Sequence, residues 1–499
     1  MQRTLVGALL VCVGVPSVGA ETLRGALRQA YRSNPQLDAE RANLRATDEN
    51  VPRAKSNYRP TLTFQSDFGV ERTNTRPDTT GEGKTYPHGY TFAMRQQVFR
   101  GFRTINAVNE AEANIRAGRE TLRATEQTVL LAAVTAYMNV VRDQAIVQLR
   151  ENNVRVLTQN LKATQDRFSV GEVTRTDVAQ SQARRANSVS DLDLARANLK
   201  ASRANYQRIV GAPATNLAPP REPIAFLPKT LEITRTRAER ENPNVVASLY
   251  LEQAARYAVD QVLGELLPTF NVDAHYTNRH NTSRVTRETE TGSIIGTLTV
   301  PLYQGGEVSA RVRQAKHLHV RRIQLIQQAR TEALEEAVAA WSLLNASRAR
   351  LSSDQAQVEA NRIALNGVRE EEKVGQRTLL DVLNAEQELL NAQVTLVNTR
   401  RDVIVNAYRV IAATGRLTAQ DLQLSSKIYD AEAHYFEVRR KWWGISITHK
   451  GGRREHFDLW ERYGQYHEPY KLGNQPAGAK GAAGGEKAKA RKAAAQPGK

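Results

Sequence analysis

Two stretches of this chain carry the same polar signature, SVGEVTRTDV (Ser169–Val178) and KVGQRTLLDV (Lys373–Val382). Each sets a threonine three residues ahead of an aspartate, Thr174 before Asp177 and Thr378 before Asp381. That is the spacing of a helix-start capping box, with Asp in place of Glu. The positive end of the helix dipole stabilises a carboxylate there. The same groups have a second chemistry. Repeated in several copies around an axis, they form a ring that raises their pKa values and attracts cations. Gly171 and Gly375 stand where the chain turns back and needs a positive φ. Other chemistry is thin. His317 and His319 are two apart on a helix and point to different sides, which does not make a metal site. No Ser/His/Asp constellation, Gly-rich phosphate loop or Cys/His cluster stands out, so no catalytic residue, metal or cofactor is expected.

The twin turns belong to a longer repetition. An offset of 204 residues carries Gly171 onto Gly375, Asp177 onto Asp381, and Gly211 onto Gly415. It also carries QVFRGF (Gln97–Phe102) onto PLYQGG (Pro301–Gly306), with Gly101 on Gly305. Earlier landmarks repeat at an offset of 208: Asn34-Pro35 on Asn242-Pro243, and Pro60 on Pro268. The chain is a tandem duplication. Its expected divisions are 21–215 for the first repeat and 216–425 for the second, then a C-terminal extension over 426–472 and a basic low-complexity tail over 473–499.

Each copy reads as short helices, two strands, a very long helix, the Gly turn and a return helix. No proline interrupts Phe102–Arg167 or Gly306–Val374, and Gly118 and Gly367 are the only interior glycines. Apolar residues recur in steps of three and four (Leu130, Val134, Tyr137, Val141; Leu334, Val338, Trp341), a coiled-coil seam. The strands, expected at about 61–70, 89–98, 269–277 and 293–303, alternate apolar and polar residues at the length of a tilted membrane strand. One face carries Leu62, Phe64, Phe68 and Val70, then Tyr90, Phe92, Met94 and Val98. Four strands cannot close a barrel, and lipid does not tolerate open sheet edges. The chain must supply a third or a half of a shared barrel, and three copies would give twelve strands. The fold class expected is mainly α with a small β part: paired long hairpins forming an α-barrel, and four strands per chain completing a shared β-barrel in a homotrimer.

The first twenty residues place Arg3 before an apolar run and end in Val18-Gly19-Ala20, a secretory signal peptide cut after Ala20. Removing it takes away Cys12, the one cysteine, and with it any disulfide. The net charge of +18 suggests a nucleic-acid partner, but export argues against one. Half the excess sits in residues 439–499, which hold fourteen Lys/Arg against five Asp/Glu.

The order of elements, with RFSVGEVTRTDV (Arg167–Val178), EKVGQRTLLDVLNAE (Glu372–Glu386) and the junction TVPLYQGGEV (Thr299–Val308), resembles the TolC family of outer-membrane channels. The likeness covers about residues 21–425. It implies a trimeric exit duct for type I protein secretion or drug efflux. Such a duct docks onto a periplasmic adaptor (membrane fusion) protein and an inner-membrane ABC or RND pump, with outer-membrane lipid around the barrel. A soluble coiled-coil adaptor is the alternative, but it would show one hairpin rather than two. By the same resemblance Asp381 belongs to an acidic ring at the tunnel entrance, and Asn384 stands where a second ring is usual. Arg377, Thr176 and Asp177 match partners in links that hold the entrance shut. Glu372 replaces a family Tyr and would repel Asp177, which directs closure through Arg377 or Arg175. Val170, Gly171, Val374 and Gly375 fall where adaptors dock. Gly101, Pro301, Gly305 and Gly306 mark the strand–helix junctions.

Overall fold

The computed structural model describes residues 21–73, 83–424, 427–447 and 449. The expected signal peptide and the low-complexity tail lie outside them. The chain divides at Arg440 into a large unit and a short C-terminal one.

In the first repeat, α1 (Leu23–Ser33), α2 (Pro35–Asp48) and α3 (Asn50–Lys55) precede β1 (Thr61–Phe68), β2 (Glu71–Thr73), β3 (Gly83–Thr85) and β4 (His88–Arg100). Then come α4 (Arg103–Ser169) and its return partner α5 (Arg175–Val210). The second repeat has α6 (Leu231–Glu241), α7 (Pro243–Leu263), β5 (Thr269–His280), β6 (Glu288–Thr299), α8 (Glu307–Lys373) and α9 (Leu379–Ala413). A last helix, α10 (Ala433–Val438), comes after these and belongs to the large unit.

The two long helices have the same length, 67 residues each, or about 100 Å at 1.5 Å per residue. Each repeat fastens its short helices to the end of its return helix in the same way. The Asn34 side chain caps α2 and donates from Nδ2 to the Ile209 carbonyl at 2.9 Å. Asn242 caps α7 and donates to the Ala413 carbonyl at 3.3 Å. Gly211 and Gly415 end the return helices at φ 83° and 79°. A Cβ on Gly415 would lie 2.4 Å from the Glu241 carbonyl oxygen, so glycine is required there for space as well as for backbone freedom.

The four long strands form one antiparallel sheet in the order β1-β4-β5-β6, leaving β1 and β6 as open edges. Register puts Leu62, Met94, Ala274 and Ile294 in one row and Phe64, Phe92, Tyr276 and Gly292 in the next, all on one face. Leu62, Phe64 and Ile294 are exposed at 76%, 62% and 79%, so this face has no cover among the described residues. The opposite face is polar. Arg95 pairs with Asp273 at 2.6 Å, Arg279 with Asp67 at 2.5 Å, and Thr91 meets Thr277 at 3.2 Å. No described helix is long and apolar enough to cross a membrane.

Three details differ from expectation. The strands of the second repeat have other bounds than expected, β5 running past 277 to His280 and β6 spanning Glu288–Thr299 rather than 293–303, while β2 and β3 pair between β1 and β4. A bulge between Gln97 and Phe99 sets Phe99, not Val98, opposite Phe270, since one extra residue inverts the alternation. On α8 the buried stripe is Ala333, Ala337, Ala340 and Leu344, whereas Val338 is exposed and Leu334 and Trp341 are half-buried. The neighbours α6, α7 and α9 meet α8 one residue around from its bulkier row.

The main core lies at mid-height, where Leu27, Leu130, Val134, Tyr137, Tyr206 and Ile411 are all but fully buried. The helix α7 packs against both α4 and α8 and joins the two repeats.

Candidate functional site

At the far ends of the hairpins the turns are near-identical. Gly171 and Gly375 adopt φ 78° and 77°, with open space where a Cβ would stand. Backbone conformation, not crowding, selects glycine at both. Thr174 and Thr378 begin the return helices with complete capping boxes. The Thr174 amide donates to Asp177 Oδ2 at 2.9 Å, and the Thr378 amide to Asp381 Oδ2 at 3.0 Å. Hydrogen bonds from the Thr174 hydroxyl and amide hold the Asp177 carboxyl below the usual carboxylate range. The Thr378 amide and hydroxyl do the same to Asp381. Within one subunit the cap therefore acts on Asp381 against the upward pull expected of a ring of like charges.

Val170 and Val374 cap the long helices and are exposed at 76% and 71%, beside a partly exposed Phe168. Each turn thus offers a small apolar knob. Gly101, Gly305 and Gly306 all take left-handed φ at the other ends of α4 and α8, and Phe102 adopts φ 61° in the place corresponding to Gly306. Gly101 and Gly264 touch backbone to backbone, where a Cβ on either would lie 2.2 Å from the other's carbonyl oxygen. Pro301 lies two positions beyond the last residue of β6.

The links between the two hairpins differ from those expected. Glu372 does not confront Asp177. It receives Arg167 at 2.8 Å, and Arg167 also holds Glu172 at 2.8 Å. Arg377 pairs with Glu371 on its own hairpin at 2.8 Å, so it does not cross to the first one. Arg175 opens α5 beside Thr176 and makes no ion pair among the described residues. Asn384 accepts from Arg184 of α5 at 2.8 Å, a second bond between the hairpins. Deeper in, the buried Glu386 accepts from Asn160 of α4 at 3.2 Å and from Arg369 of α8 at 2.7 Å, tying three long helices at one carboxylate.

Sequence reasoning did not single out Arg167, Arg184 or Glu386 as link residues. A signal existed for Glu386. It falls in the apolar seam of α9 with Leu383 and Leu390, at spacings of three and four, where a carboxylate needs a partner. His319 is absorbed into packing by Glu252 of α7 at 2.6 Å.

A sheet with two open edges, apolar outside and polar inside, carried on paired helical hairpins of this length, defines an outer-membrane export channel with a helical periplasmic portion. The sequence profile of the family described as Outer membrane efflux protein matches residues 26–212 and 235–416, one block for each repeat. The chain belongs to that family, whose members are passive channels. It is 37% identical over 457 residues to Outer membrane efflux protein BepC of Brucella suis biovar 1 (strain 1330), covering 89% of this chain and 97% of the relative. It is 26% identical over 414 residues to Outer membrane protein TolC of Vibrio cholerae, covering 81% and 93%. Among solved structures the CmeC outer membrane channel of Campylobacter jejuni aligns with a TM-score of 0.72 at 16% identity, over 84% of this chain and 89% of that one. The fold is that of an export channel rather than a soluble adaptor, and the chain is placed in the outer membrane with a large periplasmic portion.

Proposed function

We propose that three copies of this chain form the exit duct of a tripartite export system. Twelve strands line the outer-membrane pore, and twelve long helices form the periplasmic tunnel. One observation carries the reading. A four-stranded sheet exposes an apolar face, which lipid would cover, and two unpaired edges, which identical neighbours would pair. The duct is passive. A periplasmic adaptor engages the turns at Val170, Gly171, Val374 and Gly375, and an inner-membrane ABC or RND pump supplies the energy. The name of the relative, Outer membrane efflux protein BepC, favours efflux over protein secretion.

The entrance is the ring of turns. Asp381 narrows it and biases it toward cations, with Arg377, Asp177, Thr176 and Arg175 on its rim. Asn384, neutral and bonded to Arg184, weakens that bias. Closure rests on the Arg167–Glu372 pair, which tethers one hairpin to the other. A pair this exposed is worth at most about 1 kcal/mol. Three of them bias a gate without locking it, as an adaptor-opened entrance requires.

Planar-bilayer recording tests both parts. Glu372→Gln and Arg167→Gln should each raise open probability several-fold, and the double variant should add little, since either change already breaks the pair. Asp381→Asn should reduce cation preference. Unaltered gating in the first two would remove the tether, and unaltered selectivity in the third would leave Asp381 with its capping role alone. Deletion of the protein, scored by drug sensitivity and by the secreted proteins, separates efflux from protein secretion.

A further inference from the structure

The segment after α9 climbs the outside of α4 toward the sheet. The Ala419 amide donates to Glu126 at 2.5 Å, Glu432 meets Arg119 at 2.6 Å, and the Tyr435 hydroxyl reaches Glu112 at 3.1 Å. Asp48 of α2 receives His434 at 3.0 Å on the way. These three points on α4 step from Glu126 to Glu112, a rise of about 21 Å at 1.5 Å per residue. Tyr435 then stands level with a residue only nine positions from Arg103, where α4 leaves the sheet, or about 14 Å. Arg439 stacks over the Tyr435 ring at 5.4 Å and closes this climb. The eight residues from Arg440 to Ile447 follow α10 and Arg439 and would span at most about 28 Å if extended, against the roughly 14 Å that remain.

Directly after Arg439 the chain reads RKWWGISI (Arg440–Ile447). The Lys441 ammonium donates to the Ser446 carbonyl at 3.2 Å and closes a turn through Gly444 at φ 102°. Trp442 and Trp443 are 67% and 90% exposed, and Ile445 and Ile447 are more than half exposed. Two adjacent indoles so uncovered, beside basic side chains, match the composition of a membrane–water interface, where the ring body sits among headgroups and the N–H meets water.

We propose that Arg440–Ile447 is a peripheral anchor that seats Trp442 and Trp443 in the periplasmic leaflet of the outer membrane, with Arg440 and Lys441 on anionic phospholipid. The charge is complementary, and the basic excess of residues 439–499 adds long-range attraction. The sacculus is also anionic, but it offers no apolar medium for indole and isoleucine. The anchor goes beyond the duct reading and uses only its placement of the strands in the bilayer.

The test uses the full mature protein reconstituted in vesicles of phosphatidylethanolamine and phosphatidylglycerol, with brominated lipid as quencher of tryptophan emission. The chain has four tryptophans. The wild type should be quenched, and W442F/W443F should remove roughly half or more of the quenched signal, as expected when two interfacial indoles are lost. R440E/K441E should lower quenching in these vesicles and leave it unchanged in pure phosphatidylcholine. Equal quenching of the wild type and W442F/W443F would overturn the anchor. So would co-sedimentation with purified sacculi that W442F/W443F abolishes. Flotation with the vesicles reads the barrel itself. Its persistence with unchanged quenching sinks the anchor alone, and its loss in the wild type sinks both readings.

Discussion

The helices α4 and α8 occupy the same place in the two repeats and have the same length, yet the chain treats them differently. On α4 nineteen residues are buried, led by Leu130, Val134 and Tyr137. On α8 nine are buried, and four of the central ones are Ala333, Ala337, Ala340 and Leu344. The first helix is packed by α1, α2, α3, α5, α7 and α9, whereas the second is met mainly by α6, α7 and α9. Larger apolar side chains on α8, such as Val338, Leu343 and Ile363, stay at the surface. Duplication supplied two equal helices. Divergence then made one the core of the subunit and left the other more exposed, the flank that the proposed trimer would set against a neighbouring copy.

That contrast can be broken most severely at Tyr137, which is fully buried and places its hydroxyl 2.6 Å from the Ala218 carbonyl. Tyr137→Ala should cost about 3–5 kcal/mol and lower the melting temperature of the whole subunit. Val338→Glu, at a comparable height on α8, should leave helix content and subunit melting unchanged but abolish the oligomer, as read by light scattering in detergent. If Val338→Glu unfolds the subunit or leaves the trimer intact, α8 is not an intersubunit flank.

A smaller effect separates the two ends of the return helices. Gly415→Ala meets both a left-handed backbone and the Glu241 carbonyl, so it should destabilise by more than the roughly 1–2 kcal/mol of backbone strain alone. Gly171→Ala has open space around it and should show only that strain. Thermal melting that ranks the two in the opposite order would contradict the packing described at Glu241.

The smallest expected effect is in acid and has opposite signs in the two regions. The folded pKa values of Asp177 and Asp381 lie below the ordinary 3.8 because Thr174 and Thr378 bond the ionised form. Their contribution is present above that value and is lost as pH falls through the folded pKa. Glu126, against the core, is pushed above 4.5 mainly by burial. Its contribution is greatest below 4.5 and declines as pH rises through its folded value. Hydrogen exchange at the turns should therefore stay slow down to about pH 4 and rise below it. Exchange around Glu126 should not take the same course.

The legible part of this molecule was local. Helices this long show in the lack of proline and of all but one interior glycine in each, the two strands per repeat in their alternation, and the caps in Thr-x-x-Asp. The glycines at 171, 211, 375 and 415 all adopt the positive φ that their positions demand. The duplication exposed the architecture because each copy confirms the other. Inferences that depended on where two distant segments meet were the ones that misled. The strand ends expected at 277 and 293 stop short, because cross-strand pairing carries β5 on to His280 and begins β6 at Glu288. Val98 was assigned to the apolar face because a bulge leaves no mark in an alternating pattern.

The amino-acid order alone determined the secondary structure, the repeat and the need for further copies, because propensity, periodicity and strand number act within a segment or by counting. The tertiary structure decided which partners meet. Whether Glu372 faces Asp177 or Arg167, and whether α8 buries Ala337 or Val338, depends on the rotation and stagger of helices separated by some two hundred residues. A one-residue rotation turns a helix by about 100° and exchanges one set of neighbours for another. No local preference encodes that angle. It is set by the sum of packing over the whole length of the hairpins.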